Sequence, residues 1–328
     1  AMKNLYRVIS SAVLGILILT SQQVLAQTKA DFVFVIDATG SMAGEIAGVR
    51  AGFSSFVTGL SAADVDARFS IILFGGAPEL VLDFTGDASA ASAAFDAITI
   101  GASAGFQNNH NVNPEAGLEA IRMALGAAPN STLATNNLDA YTGDGTLDYR
   151  SDARKNLILV TDEDSDRPFY AANRFTGQTT NEPPSTLNAA WQAEVDATAQ
   201  AVIDNNAFVN MLINRGDSPS RSQYGDYLDD VADADLLNFD AAATLANLLA
   251  DSVTDNSLQA QVLGAGLIAR SFNVAGANNS DFVDNFFAAK IEETVDNPVD
   301  VPEPMPLTML AAGLLMLGLR KKLFAKVA

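Results

Sequence analysis

The stretch that decides the fold runs Asp31-Phe-Val-Phe-Val-Ile-Asp-Ala-Thr-Gly-Ser-Met42. Residues 32–36 form a continuous apolar run of aromatic and β-branched residues, which predicts a buried central strand. The run is followed at once by oxygen-bearing side chains: Asp37, Thr39 and Ser41. A helical pattern of apolar residues then spans 46–56. In open α/β sheets, ligands bind in this kind of loop, at the carboxyl end of a strand.

The rest of the chain repeats this alternation of strand and helix. Further buried strands are predicted at 65–74, 155–160 and 207–213, and 79–84 has the partial alternation of a hairpin edge strand. Helical patterns lie between them. We therefore predict an α/β fold, a doubly wound and mostly parallel sheet with an antiparallel edge strand and helices on both faces.

The residues Asp37-Ala-Thr-Gly-Ser41 resemble the metal-ion-dependent adhesion site of von Willebrand factor A domains, Asp-x-Ser-x-Ser, with Thr39 in place of the first Ser. The resemblance covers about residues 29–255, and we place the domain at 27–255. It implies a Rossmann-like fold and a bound Mg²⁺, or else Mn²⁺ or Ca²⁺. From these five residues alone, a strand-end turn in which Thr39 or Ser41 caps the helix stays an equal alternative.

Two later carboxylates complete the predicted metal site by resemblance. Asn113-Pro-Glu115 resembles the integrin β-subunit version of the domain, in which Pro-Glu before a helix supplies a carboxylate to the metal. We expect Pro114 at the first helical position and Glu115 in the first turn. Asp162, which follows the strand at 155–160, takes the role of the third-loop carboxylate. An ordinary acid at a helix start is the alternative for Glu115.

Further residues near these loops are candidates for neighbouring roles. A second cation beside the first, as in integrin β domains, is implied for Glu45, Glu163, Asp164 and Asp166. That resemblance is incomplete, because Gly44-Glu45 stands where an acidic pair is usual, and an exposed acidic loop is the alternative. The segment 168–184 follows directly and is predicted to rim the metal site. Four residues in or beside this segment are the predicted ligand contacts: Arg167, Tyr170, Arg174 and Phe175.

Composition excludes several functions. The chain has 328 residues, no cysteine and a net charge of −20. All 39 acidic residues but only 13 of the 19 basic residues lie between positions 27 and 303. Such a surface repels polyanions, so we expect no nucleic-acid partner. Without cysteine there is neither a disulfide nor a thiolate metal site.

Both ends of the chain resemble targeting segments. Residues 1–26 have the basic start, apolar stretch and small-residue end of a secretory signal peptide, with a retained membrane anchor as the alternative. Val301-Pro-Glu-Pro304, an apolar transmembrane stretch at 305–319 and Arg320-Lys-Lys322 resemble the PEP-CTERM sorting signal, with a plain membrane anchor as the alternative. The resemblance implies an exosortase partner and a transient membrane anchor. It also implies export to the surface or extracellular biofilm matrix of a Gram-negative bacterium.

Residues 256–300 form a C-terminal extension with two amphipathic stretches, at 258–268 and 282–291. These stretches either pack back on the domain or contact a partner, and the pattern does not choose between the two.

We expect a binding protein rather than an enzyme. His110 is the only histidine in the sequence. Gly101-Ala-Ser103-Ala-Gly105 matches the Gly-x-Ser-x-Gly motif of a nucleophile elbow, but no helical pattern follows it directly. The leading hypothesis is cell adhesion, with a protein or polysaccharide carboxylate or other oxygen donor completing the metal's coordination. A Ca²⁺-bridged, self-associating matrix protein is the alternative, and a hydrolase ranks below both.

Overall fold

The structure, a computed structural model, describes residues 27–75, 78–100, 115–126, 147–165, 187–214, 216–225, 256–274 and 281–299. Within these ranges, Thr28–Val299 belong to one compact unit. The predicted export and sorting segments lie outside the described residues. None of the helices in the described ranges is long and apolar enough to cross a membrane.

The described strands form a six-stranded sheet in the order β3-β2-β1-β4-β5-β6. Neighbouring strands are parallel except for β3, which runs antiparallel to β2 at the edge. The predicted fold class is therefore confirmed. The strands are β1 (Thr28–Asp37), β2 (Val65–Phe74), β3 (Glu79–Thr85), β4 (Arg154–Val160), β5 (Phe208–Ile213) and β6 (Ala269–Asn273).

Helices cover both faces of this sheet. They are α1 (Ala43–Ala62), α2 (Ala88–Asp96), α3 (Gly117–Ala124), α4 (Ala189–Asp204), α5 (Ser218–Tyr224), α6 (Leu258–Gly264) and α7 (Phe287–Asp296). A 3₁₀ turn at Gly40–Met42 leads into α1, and a π-helical turn at Asp281–Phe286 leads into α7. The start predicted for α3 was wrong: the helix begins at Gly117, so Glu115 precedes it instead of lying in its first turn.

The central strand β1 is buried on both sides, as its continuous apolar run predicted. Val33 and Val35 face the core that also contains residues of α3, α4 and α6. Phe32, Phe34 and Ile36 face the opposite core, beneath α1, α2 and α7. This second core is rich in aromatic rings, which meet edge to face at distances such as 5.1 Å between Phe32 and Phe56. Side chains that alternate along the strand therefore contribute to two separate cores, one on each face of the sheet.

The C-terminal residues pack back on the sheet. Strand β6 extends the sheet at one edge, and the turn before α7 buries Phe282 and Phe286 completely. Two glycines of α1 make room for this segment. A Cβ at Gly48 would lie 2.4 Å from the Phe282 ring, and one at Gly59 would lie 2.3 Å from the Cδ1 atom of Ile291. Of the two alternatives for this stretch, the structure shows the first.

A buried set of charges fixes α7 against the sheet. Lys290 donates a 2.6 Å hydrogen bond to Asn210 of β5 and forms an ion pair with Glu293. Arg270 of β6 also pairs with Glu293, at 2.7 Å. Burial alone would raise the pKa of Glu293, but the charges of Lys290 and Arg270 hold it below its usual value. Because a buried charge is costly unless it is paired, these residues specify where the helix docks.

The last described residues lie at the amino-terminal ends of the strands. Arg154, the first residue of β4, donates hydrogen bonds to the carbonyl oxygens of Asn297 and Pro298, at 3.2 and 3.1 Å. Its guanidinium also lies over the ring of Phe208, 4.3 Å from the centroid. These contacts hold the residues that follow α7 against the first residue of β4.

The packing of Gly48 can be tested against a second glycine of the same helix. We expect Gly48→Ala to lower the free energy of unfolding by about 1–3 kcal/mol, because the Phe282 ring is enclosed and cannot move aside freely. A Cβ at Gly44 meets nothing within 4 Å. Gly44→Ala should therefore stabilise the protein by about 0.5–1 kcal/mol. Urea unfolding of both variants measures the difference, and equal effects at the two positions would contradict the packing described.

Candidate metal centre

The candidate site lies where β1 and β4 end side by side. The strand order reverses between these two strands, and the crevice outside such a reversal is where open α/β sheets bind ligands. Ile36 pairs with Val160, so the loops that follow start from the same level. Asp37 is the last residue of β1, and Asp162 lies in the loop that follows β4.

The structure brings the three predicted carboxylates together. Asp37, Glu115 and Asp162 each offer one oxygen, and these oxygens all lie within 4.8 Å of one another. Asp37 is fully buried, Glu115 is 7% exposed and Asp162 is half-buried. Among the described residues, this is the acidic group whose spacing fits a metal ion. Their role as metal ligands stays a prediction.

The two predicted hydroxyls belong to the same cluster. The Oγ of Ser41 donates to a carboxylate oxygen of Asp162 at 3.1 Å. It also lies 3.2 Å from the Oγ1 of Thr39. All five predicted ligand residues therefore meet at one place, and they come from three separate loops. Carboxylate and hydroxyl oxygens form the kind of ligand set that Mg²⁺ and Ca²⁺ take in proteins.

The Asp37 carboxylate is held in place from both sides. The backbone N–H of Thr39 donates to one of its oxygens at 2.8 Å, and the hydroxyl of Thr161 donates to the other at 3.1 Å. Thr161 is fully buried and also accepts the N–H of Glu163, at 3.2 Å. We assigned no role to Thr161 from the sequence. Its position between a buried strand and the acid Asp162 was the available signal.

The electrostatics of the cluster favour a positive charge at its centre. Burial, which hydrogen bonds from Glu115 and Thr39 only partly oppose, raises the pKa of Asp37 to about 6. Burial, and then the charge of Asp37, raises the pKa of Glu115 to about 11. With these values, a proton on Glu115 offsets part of the repulsion at neutral pH in the absence of a cation. A divalent ion bound between the carboxylates would replace that proton, so the residues fit a metal.

The residues predicted for a second cation occupy different environments. Glu45 lies half-buried in the first turn of α1, where burial and then the charge of Asp162 raise its pKa. Glu163 is exposed, whereas Asp164 is buried. Asp166 lies outside the described residues, as do the predicted rim residues Arg167, Tyr170, Arg174 and Phe175. The second cation stays a prediction, and His110 and Ser103 also lie outside the described ranges.

No protein-family model and no curated protein matches this chain. Among solved structures, it is similar to a von Willebrand factor type A protein from Catenulispora acidiphila, with a TM-score of 0.43 and 12% sequence identity. The match covers 82% of this chain and 43% of that chain. This chain therefore spans less than half of that protein.

The raised pKa values predict how the metal-free protein responds to pH. In EDTA, the folded state keeps protons on Asp37 and Glu115 that the unfolded chain releases near pH 4. The stability that these protons contribute is fully present below about pH 4 and is lost as the pH rises through 6. Each proton that only the folded state retains lowers the free energy of unfolding by about 1.4 kcal/mol per pH unit. Urea unfolding between pH 4 and 7 measures this slope.

The Asp37→Asn variant should flatten that slope, because it removes one proton and lowers the pKa of Glu115 as well. Asp87 provides the control. It is the exposed N-cap of α2, and its pKa is lowered by hydrogen bonds from Ser89. Asp87→Asn should leave the slope above pH 5 unchanged. If Asp37→Asn and the wild type share one slope in EDTA, the electrostatic account of the cluster is wrong.

Proposed function

We propose that this protein is an adhesion module that binds its ligand through a divalent cation held by Asp37, Thr39, Ser41, Glu115 and Asp162. The observation that carries the proposal is the convergence of three carboxylate oxygens within 4.8 Å, at the point where the strand order reverses. The resemblance of residues 37–41 to the von Willebrand factor A metal site agrees with it. We propose Mg²⁺ as the ion, with Mn²⁺ or Ca²⁺ as substitutes.

A bound cation would offset the mutual repulsion of the ionised carboxylates. Two such charges about 4 Å apart cost about 4 kcal/mol at an effective dielectric constant near 20. A bound divalent ion offsets this cost and, when present, leaves coordination positions for oxygen atoms of a ligand. The protein's part is to hold the carboxylates. The N–H of Thr39 and the hydroxyl of Thr161 fix Asp37, and the hydroxyl of Ser41 fixes Asp162.

The first test is stabilisation by metal. At one hundred times the dissociation constant, Mg²⁺ should stabilise the folded protein by about 2.7 kcal/mol, seen as a rise in melting temperature over EDTA. Asp37→Asn should abolish the rise, because it removes a central ligand. Asp83→Asn, on the exposed side of edge strand β3, should keep it in full. If the wild-type protein is folded and neither Mg²⁺ nor Mn²⁺ changes its melting temperature, the proposed site is ruled out.

The charge of the site also selects among ligands. A divalent ion facing Asp37, Glu115 and Asp162 leaves the centre negative when all three are ionised. The charge of Glu163 contributes to the raised pKa of Glu115, and the charge of Asp162 contributes to that of Glu45, so the surroundings of the site are negative too. A carboxylate from a partner would meet this repulsion, whereas a neutral hydroxyl or carbonyl oxygen would not. We therefore favour a polysaccharide with neutral hydroxyl groups over an acidic ligand.

A pair of immobilised polysaccharides tests this preference. In Mg²⁺ at 0.15 M salt, about the physiological ionic strength, we expect the protein to be retained on a neutral glucan more than on a polyuronate. EDTA should release it. Glu115→Gln, measured at saturating metal, should shift retention toward the polyuronate because one negative charge is gone. Tighter metal-dependent retention of the wild type on the polyuronate would contradict the ligand assignment while leaving the metal site intact.

Export, surface display and processing of the C-terminal tail by an exosortase belong to the same proposal. They rest on residues 1–26 and 301–328, whose patterns resemble an export signal and a sorting signal. The proposal is one of binding without catalysis. Retention of the full chain in the outer cell fraction, lost when Pro302–Pro304 are replaced by alanine, tests the sorting assignment separately from the metal site.

A further inference from the structure

Helix α5 contacts the loop that carries Asp162 through one fully buried side chain. Gln223 accepts the backbone N–H of Ser165 on its Oε1 atom at 2.6 Å. Its Nε2 atom donates to the carbonyl oxygen of Ser165 at 2.8 Å. The amide therefore holds both backbone groups of one residue, three positions after Asp162. Such a two-point bond fixes the position of the loop as well as satisfying its polar groups.

Ser165 in turn contacts the loop that carries Glu115. Its Oγ accepts the backbone N–H of Leu118 at 3.0 Å. Leu118 lies in the first turn of α3, where the N–H groups have no partner inside the helix. The N-cap residue of α3, Ala116, has no side chain that accepts such a bond. Ser165 therefore supplies the cap from another loop, and it sets the spacing between the two acidic loops.

The residue next to Gln223 contacts the start of α3, two residues after Glu115. A Cβ at Gly117 would lie 2.3 Å from the hydroxyl oxygen of Tyr224, so α3 begins in direct contact with the end of α5. Tyr224 is fully buried. Two consecutive residues of α5 thus contact the loop that carries Asp162 and the helix start that follows Glu115.

We propose that Gln223 is a positioning residue that holds Asp162 and Glu115 at the separation needed to share one cation. It acts through Ser165. This inference rests on the proposed metal function, and it extends the site to a helix that contributes none of the proposed ligands. Residues that orient metal ligands in this way affect affinity by about 10–100-fold.

The test compares Gln223→Leu with Ser70→Ala in the full chain. Ser70 of β2 is also fully buried, and its hydroxyl donates one bond, at 2.7 Å, to the carbonyl oxygen of Leu82 in edge strand β3. Calorimetric titration with Mg²⁺ should give at least about tenfold weaker binding for Gln223→Leu and no change for Ser70→Ala. Gln223→Asn, which retracts the amide without losing it, should weaken binding in the same direction and serves if the leucine variant does not fold.

Two further measurements separate positioning from general stability. In the Asp162→Asn background, losing Gln223 should cost less affinity than in the wild type, because the two residues act through one loop. In EDTA, hydrogen exchange at the Leu118 amide should speed up about tenfold in Gln223→Leu. Exchange at Val209 of β5, whose N–H donates to the carbonyl oxygen of Ile268 just before β6, should not change. Equal acceleration at both amides would mean a structural role only and would overturn the inference.

The outcomes for this inference and for the proposed function are distinct. If the wild-type protein binds no Mg²⁺, the proposed function fails and the positioning role falls with it. If the wild type binds Mg²⁺ and both Gln223 variants bind it equally well, the metal site stands and the positioning role is wrong.

Discussion

The mutual repulsion of three carboxylates is the constraint on which the rest of this structure depends. Asp37, Glu115 and Asp162 come within 4.8 Å of one another, and two of them are buried. Such an arrangement persists only if the surrounding chain holds each group firmly and protonation or a bound cation offsets the negative charge. The first requirement is met by bonds between separate segments of the chain: Thr161 to Asp37, Ser41 to Asp162, Leu118 to Ser165 and Ser165 to Gln223.

These bonds work because the sheet beneath them is rigid. The two faces of β1 feed two separate cores, and the strands on either side of it are parallel and buried. The loops at the carboxyl edge therefore start from fixed points. Helix α7 completes the aromatic core from the far end of the sequence and is held there by buried charges.

Much of this fold was predictable from the sequence, because its signals are local. The apolar runs of β1 and β4 identified central strands, and the carboxyl ends of parallel strands meet at one edge. From this pattern alone, Asp37 and Asp162 are expected to lie close together. Glu115 was found by resemblance, and its helix starts two residues later than we expected. The parts that could not be predicted depend on partners distant in sequence. Nothing near Gln223 or Gly48 indicates Ser165 or Phe282 as the residue that each contacts.

The attachment of residues 297–298 to Arg154 has a mechanical consequence. A load applied between residues 297–298 and the carboxylate site acts at opposite ends of the strands. It runs along β1 and β4, which pair in parallel from Ala30 with Arg154 to Ile36 with Val160. The hydrogen bonds of that ladder are then sheared together, because the pull is parallel to the strands and does not unzip them one at a time. This arrangement would resist tension applied along the axis of β1 and β4.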